Sequence, residues 1–276
     1  MRNDISQRIK DYANKNDTIE SIFYVKRYNN DQFYHIYTVV NNVIIGKLEE
    51  EFEGLFDDVL FSKRSKDLAE IDKNKFTYTT IDLYKADDIK ISESVIASDI
   101  AGEFIKTLPN DIEFLYNRPG SERLLANEDY GVKPVKEYEF EKTVKNFFAY
   151  AIEVSLYLKE NNTLAASIKM NELRDELINM LRIHVINKFN GKRDIGKDGR
   201  EFTHTLVKEY KDDLEDTFHD INPLNIYNSL FKACMLFRKI GMQEAEILGF
   251  AYDRAVDVKT LKLLRENYKK LESFLN

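Results

Sequence analysis

Along the first 45 residues the apolar positions come in short, dense runs of β-branched and aromatic side chains. These are Ile19-Glu-Ser-Ile-Phe-Tyr-Val25, Phe33-Tyr-His-Ile-Tyr-Thr-Val-Val40 and the brief Val43-Ile44-Ile45. Runs of this composition predict strands. Asn41-Asn42 between the last two predicts a two-residue hairpin turn, because asparagine accepts positive φ more readily than most residues. Further strands are predicted over 76–84 and 112–116, and helical spacing over 5–15, 48–57 and 94–106 places helices among them. The first part of the chain is therefore mixed α and β.

The period changes after Asn127-Glu-Asp-Tyr-Gly-Val-Lys-Pro134, a polar connection with Gly and Pro. Phe140, Val144, Phe147, Phe148, Ala151, Val154 and Leu158 recur at helical spacing, as do Leu173, Leu177, Met180, Leu181 and His184. Long helices are predicted there and over 224–248 and 254–274, with Gly249 as a C-terminal stop after the first of that pair. Residues 190–200, with three glycines, read as an exposed loop. The pattern predicts an α+β chain in two domains: mixed sheet and helices over 1–128, then a helical bundle over 129–276. No segment repeats at a fixed period.

Composition narrows the class. Of 276 residues 43% are hydrophobic and 32% charged, with only 10 Gly and 4 Pro, which excludes a disordered or low-complexity chain. No stretch approaches the roughly 20 apolar residues of a membrane span, and the first residues lack a secretory signal's apolar core, so the chain reads as cytoplasmic. The lone Cys234 excludes internal disulfides and cysteine-based zinc sites. Residues 1–128 hold 17 Lys+Arg against 24 Asp+Glu, which accounts for the whole net charge of −7. Such an acidic half disfavours nucleic acid and favours a cationic ligand.

Several segments of the second half carry a resemblance. They are Tyr130-Gly-Val-Lys-Pro134, Phe140 with the pair Phe147-Phe148, Gly196-Lys-Asp-Gly-Arg200, Leu230-Phe-Lys-Ala-Cys-Met-Leu-Phe-Arg238 and Ala245-Glu-Ile-Leu-Gly-Phe250. In order and spacing they resemble the aminoglycoside 6-adenylyltransferases, or streptomycin adenylyltransferases, of the nucleotidyltransferase superfamily. The resemblance implies an N-terminal nucleotidyltransferase-type domain and a helical domain that helps form the aminoglycoside site. It also implies ATP and Mg²⁺ as cofactors, and a small-molecule ligand in the cleft between the two domains.

The first half departs from that pattern at the chemistry. The superfamily has a Gly-Ser pair after its first strand, because glycine lets backbone amides close around a triphosphate. Here that place reads Val25-Lys26-Arg27. The family's next feature is two aspartates one residue apart on a strand, whose side chains share a face and hold Mg²⁺. Phe33 and His35 stand at those positions, and imidazole suits that hard, oxygen-seeking ion poorly. Of the three family carboxylates only Asp82, in Ile81-Asp82-Leu83, remains. Where relatives place the acid that takes the sugar hydroxyl proton stands Asn162, with Glu160 a substitute base. Asp31 or the pair Asp57-Asp58 offers another source of metal ligands, although adjacent strand residues face opposite sides.

Other candidates have plainer readings. Gly196–Arg200 is an anion cradle or an exposed loop before a helix; His184 is a ligand or a boundary histidine on an apolar stripe; Cys234 is a nucleophile or packing. Two functions stay open: an adenylyltransferase-type enzyme impaired by these losses, or a non-catalytic binding module on the same fold, a pseudoenzyme.

Overall fold

A computed structural model describes residues 3–41, 45–71, 74–121, 124–125, 130–196 and 199–275. Contacts divide the chain into two units, 1–130 and 131–276; the sequence-expected boundary at 128/129 lies outside the described residues.

In the first unit β1 (Ile19–Val25), β2 (Phe33–Val40), β3 (Val59–Ile71), β4 (Asn74–Lys85), β5 (Lys90–Ala97) and β6 (Ile112–Asn117) form one sheet. Their order is β3-β4-β5-β2-β1-β6, with β2 and β5 parallel and every other neighbouring pair antiparallel. Strand alternation sorts the side chains onto two faces. On the back, α1 (Asn3–Lys15) and α2 (Ile45–Glu53) bury Ile5, Ile9, Leu48 and Phe52 against Tyr34, Ile36, Ile81, Leu83 and Ile91. On the front, α3 (Ser98–Ile105) buries Ala101 and Phe104 against Phe23, Tyr37, Val39 and Ile96.

Three sequence expectations need correction or restriction. The helix expected over 94–106 begins only at Ser98, because 94–97 complete β5. Both faces of this central strand are covered, so its near-continuous burial hides the two-residue period. β3 escaped notice altogether. It pairs only with β4 among the described residues and carries Lys63, Arg64, Lys66 and Asp67 at its centre, a polar run without a hydrophobic face. The hairpin expected through Asn41-Asn42 lies largely outside the described residues, which omit Asn42, Val43 and Ile44; Ile45, the last residue of the expected strand, instead opens α2.

The second unit consists of α4 (Glu137–Lys159), α5 (Thr163–Lys188), α6 (Phe202–Thr205), α7 (Lys208–Glu215), α8 (Pro223–Leu248) and α9 (Arg254–Leu275), with no strand among its described residues. α4 packs on α5 and α9, and α8 on α5 and α7. The core is aromatic where α4 meets α8: Phe147 stacks on Phe237 at 3.8 Å between centroids, with Phe148 edge-on to both. Asn222 caps α8, accepting from Leu224 N and Asn225 N, and Gly249 ends it in the left-handed conformation at φ 70°. Gly191, at φ 74°, stands at a close backbone crossing: its carbonyl oxygen accepts from Val132 N at 2.7 Å, and a Cβ there would lie 2.8 Å from Val132 O. Among the described residues no helix is long and apolar enough to cross a membrane.

The turn between α4 and α5 is built from Glu160-Asn161-Asn162. Glu160 ends α4 and is exposed, Asn161 takes positive φ (58°), and Asn162 Oδ1 accepts from Ala165 N at 3.1 Å to cap α5. An Asn162→Ala variant is expected to lose about 1 kcal/mol in chemical unfolding, the amount a cap contributes. Unchanged stability would remove the capping role.

Candidate functional site

Strand pairing brings the three positions compared with the family's carboxylates onto one face. β5 lies between β2 and β4, so its registers connect them: His35 pairs with Ser92 and Ser92 with Asp82, while Phe33 pairs with Lys90 and Lys90 with Tyr84. All six side chains therefore point to the front of the sheet, in two adjacent rows. β3 extends these rows with Lys63 beside Asp82 and Phe61 beside Tyr84, the two rings stacking at 4.5 Å. Tyr34 points the other way, into the back core.

Asp82 is held at both oxygens. Ser92 Oγ donates to Oδ1 at 2.5 Å, and Lys90 Nζ lies 2.9 Å from Oδ2. The lysine end also sits 5.2 Å from the centroid of the Tyr84 ring. The carboxylate is 10% exposed and the lysine side chain 20%, so this is a largely desolvated pair rather than a solvated surface contact.

Beside it, a hydrogen-bonded chain links four strands. Thr80 Oγ1 donates to Asp67 Oδ2 at 2.5 Å, Ser94 Oγ is 2.9 Å from Thr80 Oγ1, and His35 Nε2 is 2.8 Å from Ser94 Oγ. Each hydroxyl has one proton, and Thr80 gives its own to Asp67. The chain must then run from His35 Nε2–H through Ser94 and Thr80 to Asp67. His35 is thus a donor here, and its ring packs on Tyr37 at 4.6 Å.

The turn after β1 is also internally satisfied. Val25 is buried at the strand end, and a 3₁₀ turn over Lys26–Tyr28 follows. Lys26 N donates to Asp111 O and Arg27 N to Asp111 Oδ2, both at 2.9 Å, while Arg27 Nε reaches Asp111 Oδ1 at 2.8 Å. Lys26 Nζ pairs with Glu113 at 3.3 Å. The Arg27 amide, which a glycine turn would offer to a phosphate oxygen, here serves the Asp111 carboxylate, and the Lys26 amide serves the Asp111 carbonyl.

These residues do not fit a triphosphate with Mg²⁺. One phenyl ring, one imidazole that donates its proton, and one carboxylate already holding an ammonium are not a hard-cation donor set. The other carboxylates considered do not supply one. Asp57 is exposed beside Arg8 at 3.3 Å, Asp58 sits in the next turn at φ 60°, and Asp31 precedes β2. Among the described residues no three His, Cys, Asp or Glu side chains converge on a common point.

The remaining candidates lie in the second unit. His184 is 7% exposed, its Nδ1 2.7 Å from Glu244 Oε1, with Asn187 Nδ2 donating to the other oxygen at 2.7 Å. Cys234 is fully buried, which pushes its thiol up to about 12 and leaves it unreactive. In the glycine loop Lys197 and Asp198 lie outside the described residues. Sequence reasoning missed Lys90, Ser92, Ser94, Thr80, Asp67 and Asp111. The alternation Lys90-Ile-Ser92-Glu-Ser94 was the available signal, since polar residues at every second place mark one face of a strand.

Comparison with known proteins bears on the whole chain. The family model described as streptomycin adenylyltransferase matches residues 117–266. Among solved structures, an aminoglycoside 6-adenyltransferase from Bacillus subtilis is similar with a TM-score of 0.50 and 19% sequence identity, over 97% of this chain and 99% of that one. That likeness is one of fold. No curated protein sequence matches at a significant level.

Proposed function

The chain belongs to the streptomycin adenylyltransferase family, and from that premise we propose that it uses the family fold to bind a small cationic molecule without carrying out adenylyl transfer. Transfer of a nucleotidyl group depends on metal ions to neutralise the triphosphate and on a positioned base, together worth many orders of magnitude in rate. The observation that carries the reading is the front face of the sheet, where Phe33, His35 and the Lys90-bound Asp82 stand in place of three carboxylates. Asp111, which precedes β6 and takes up Arg27 of the turn after β1, supports it from the phosphate side. Asn162, engaged in capping α5, supports it from the side of the base, and Glu160 is then an exposed helix-end residue.

ATP and Mg²⁺ are accordingly not ligands in this reading. The net −7 of residues 1–128 favours cations over anions at long range, a field screened over ~8 Å at physiological ionic strength. Two measurements on the full chain test the proposal. With labelled ATP, Mg²⁺ and streptomycin, no transfer above the protein-free blank is expected. In thermal shift at low salt, cationic aminoglycosides should raise the melting temperature and nucleotides should not. Magnesium-dependent transfer that disappears in Asp82→Asn, or a shift with nucleotides alone, would overturn it.

A further inference from the structure

We propose that Lys90 is a tethered cation that takes over at Asp82 the charge-neutralising role of a divalent ion, so that this corner of the sheet is closed to metal. The inference rests on the non-catalytic reading and adds to it a residue that excludes metal, beyond the mere loss of ligands.

The position of Lys90 carries the argument. It comes from β5, the strand between the two that hold the compared positions, and it stands in register with Phe33 on one side and Tyr84 on the other. From there its ammonium reaches one row across to Asp82 Oδ2 at 2.9 Å, while Ser92 occupies Oδ1. A Mg²⁺ ion needs oxygen ligands at about 2.0–2.1 Å in near-octahedral array. An ion bound to Oδ2 would lie within about 5 Å of the ammonium, two like charges sharing one oxygen in a poorly hydrated place. The two cations therefore compete for this carboxylate.

The lysine is also the better fit to what surrounds it. Tyr84 offers the face of a ring to the ammonium at 5.2 Å, a contact useful to a monocation on an apolar stem. Phe33 in the same row supplies apolar surface where a metal site needs oxygen. The single charge of Lys90 is matched to the single carboxylate it contacts.

The test is Mn²⁺ binding, followed by the paramagnetic signal of the free ion, on the full chain in three forms. Wild type is expected to show no site in the micromolar range. Phe33→Asp with His35→Asp restores two carboxylates but keeps the ammonium; adding Lys90→Met to that pair should tighten Mn²⁺ at least tenfold. Equal affinity with and without Lys90 would overturn the proposal, as would a wild-type site lost in Asp82→Asn. Should the multiple variants not fold, Lys90→Met alone decides. Its melting temperature should fall below that of wild type and recover in part with millimolar Mn²⁺, whereas wild type responds to neither Mn²⁺ nor a chelator. A Lys90→Met protein as stable as wild type, or unresponsive to Mn²⁺, refutes the role. Adenylyl transfer by wild type would instead sink the functional reading, so the two failures are told apart.

Discussion

Replacing Phe237 by alanine is expected to lower the unfolding free energy of the helical unit by about 3–5 kcal/mol, the range found when a fully buried aromatic is truncated. Phe237 is completely buried on α8, stacked on Phe147 and edge-on to Phe148. The variant loses the transfer energy of the ring, leaves a cavity between α4 and α8, and strips both partners of favourable ring contacts. Phe147 is pinned by the α4–α5 packing and has little freedom to collapse into the void. Urea unfolding read by helix content measures the loss. A cost below about 1 kcal/mol would mean that the site closes up, and that the aromatic cluster is not the keystone of the bundle. Phe237→Leu should cost less, since it retains much of the buried volume.

A second large effect concerns Glu93, on the back of the sheet. It is fully buried, receives a hydrogen bond from Thr38 Oγ1 at 2.6 Å, and lies near Tyr12 and Glu51. Burial pushes its carboxyl up to about 8, with the Thr38 hydrogen bond opposing and the Glu51 charge reinforcing. The folded protein thus holds a proton that the unfolded chain releases near 4.5. Stability from this group is complete below that value and is lost as pH rises through about 8. The slope approaches 1.4 kcal/mol per pH unit between the two values. Glu93→Gln cannot ionise and keeps an acceptor for Thr38. Wild type and variant should be close at pH 5, and by pH 9 the variant should be the more stable by a few kcal/mol. Parallel stability curves from pH 5 to 9 would refute the assignment.

The same residue shows what the sequence made legible. β1, β2 and β6 announced themselves because β-branched and aromatic residues cluster between polar breaks, and the long helices because one apolar stripe runs through each. β5 was half hidden: Ser92, Glu93 and Ser94 look like a polar interruption until both faces of the strand are known to be covered. β3 was invisible for the opposite reason, being an edge with too little apolar surface to set a period. Asp82 could be picked out from its apolar neighbours, but its partners could not. Lys90 meets it from the antiparallel neighbour β5, and His35 shares its row only through the parallel register of β2 with that same strand. Glu244 pairs with His184 from 60 residues away. Contacts set by pairing register or by helix packing leave no local trace in a chain read one residue at a time.

The charged centre of β3 has a consequence for how the protein behaves in a crowd. The outer edge of a thirteen-residue strand, without a partner strand among the described residues, is a template on which another chain could lay down its own backbone. Leu60, Phe61 and Leu68, all exposed, would make such a template adhesive. Lys63, Arg64 and Lys66 sit between them and resist the approach of a second copy, whose own three cations would arrive opposite. The polarity that conceals this strand from a hydrophobic pattern is therefore also what keeps its edge from seeding aggregates, a protection that high salt, by screening those charges, would weaken.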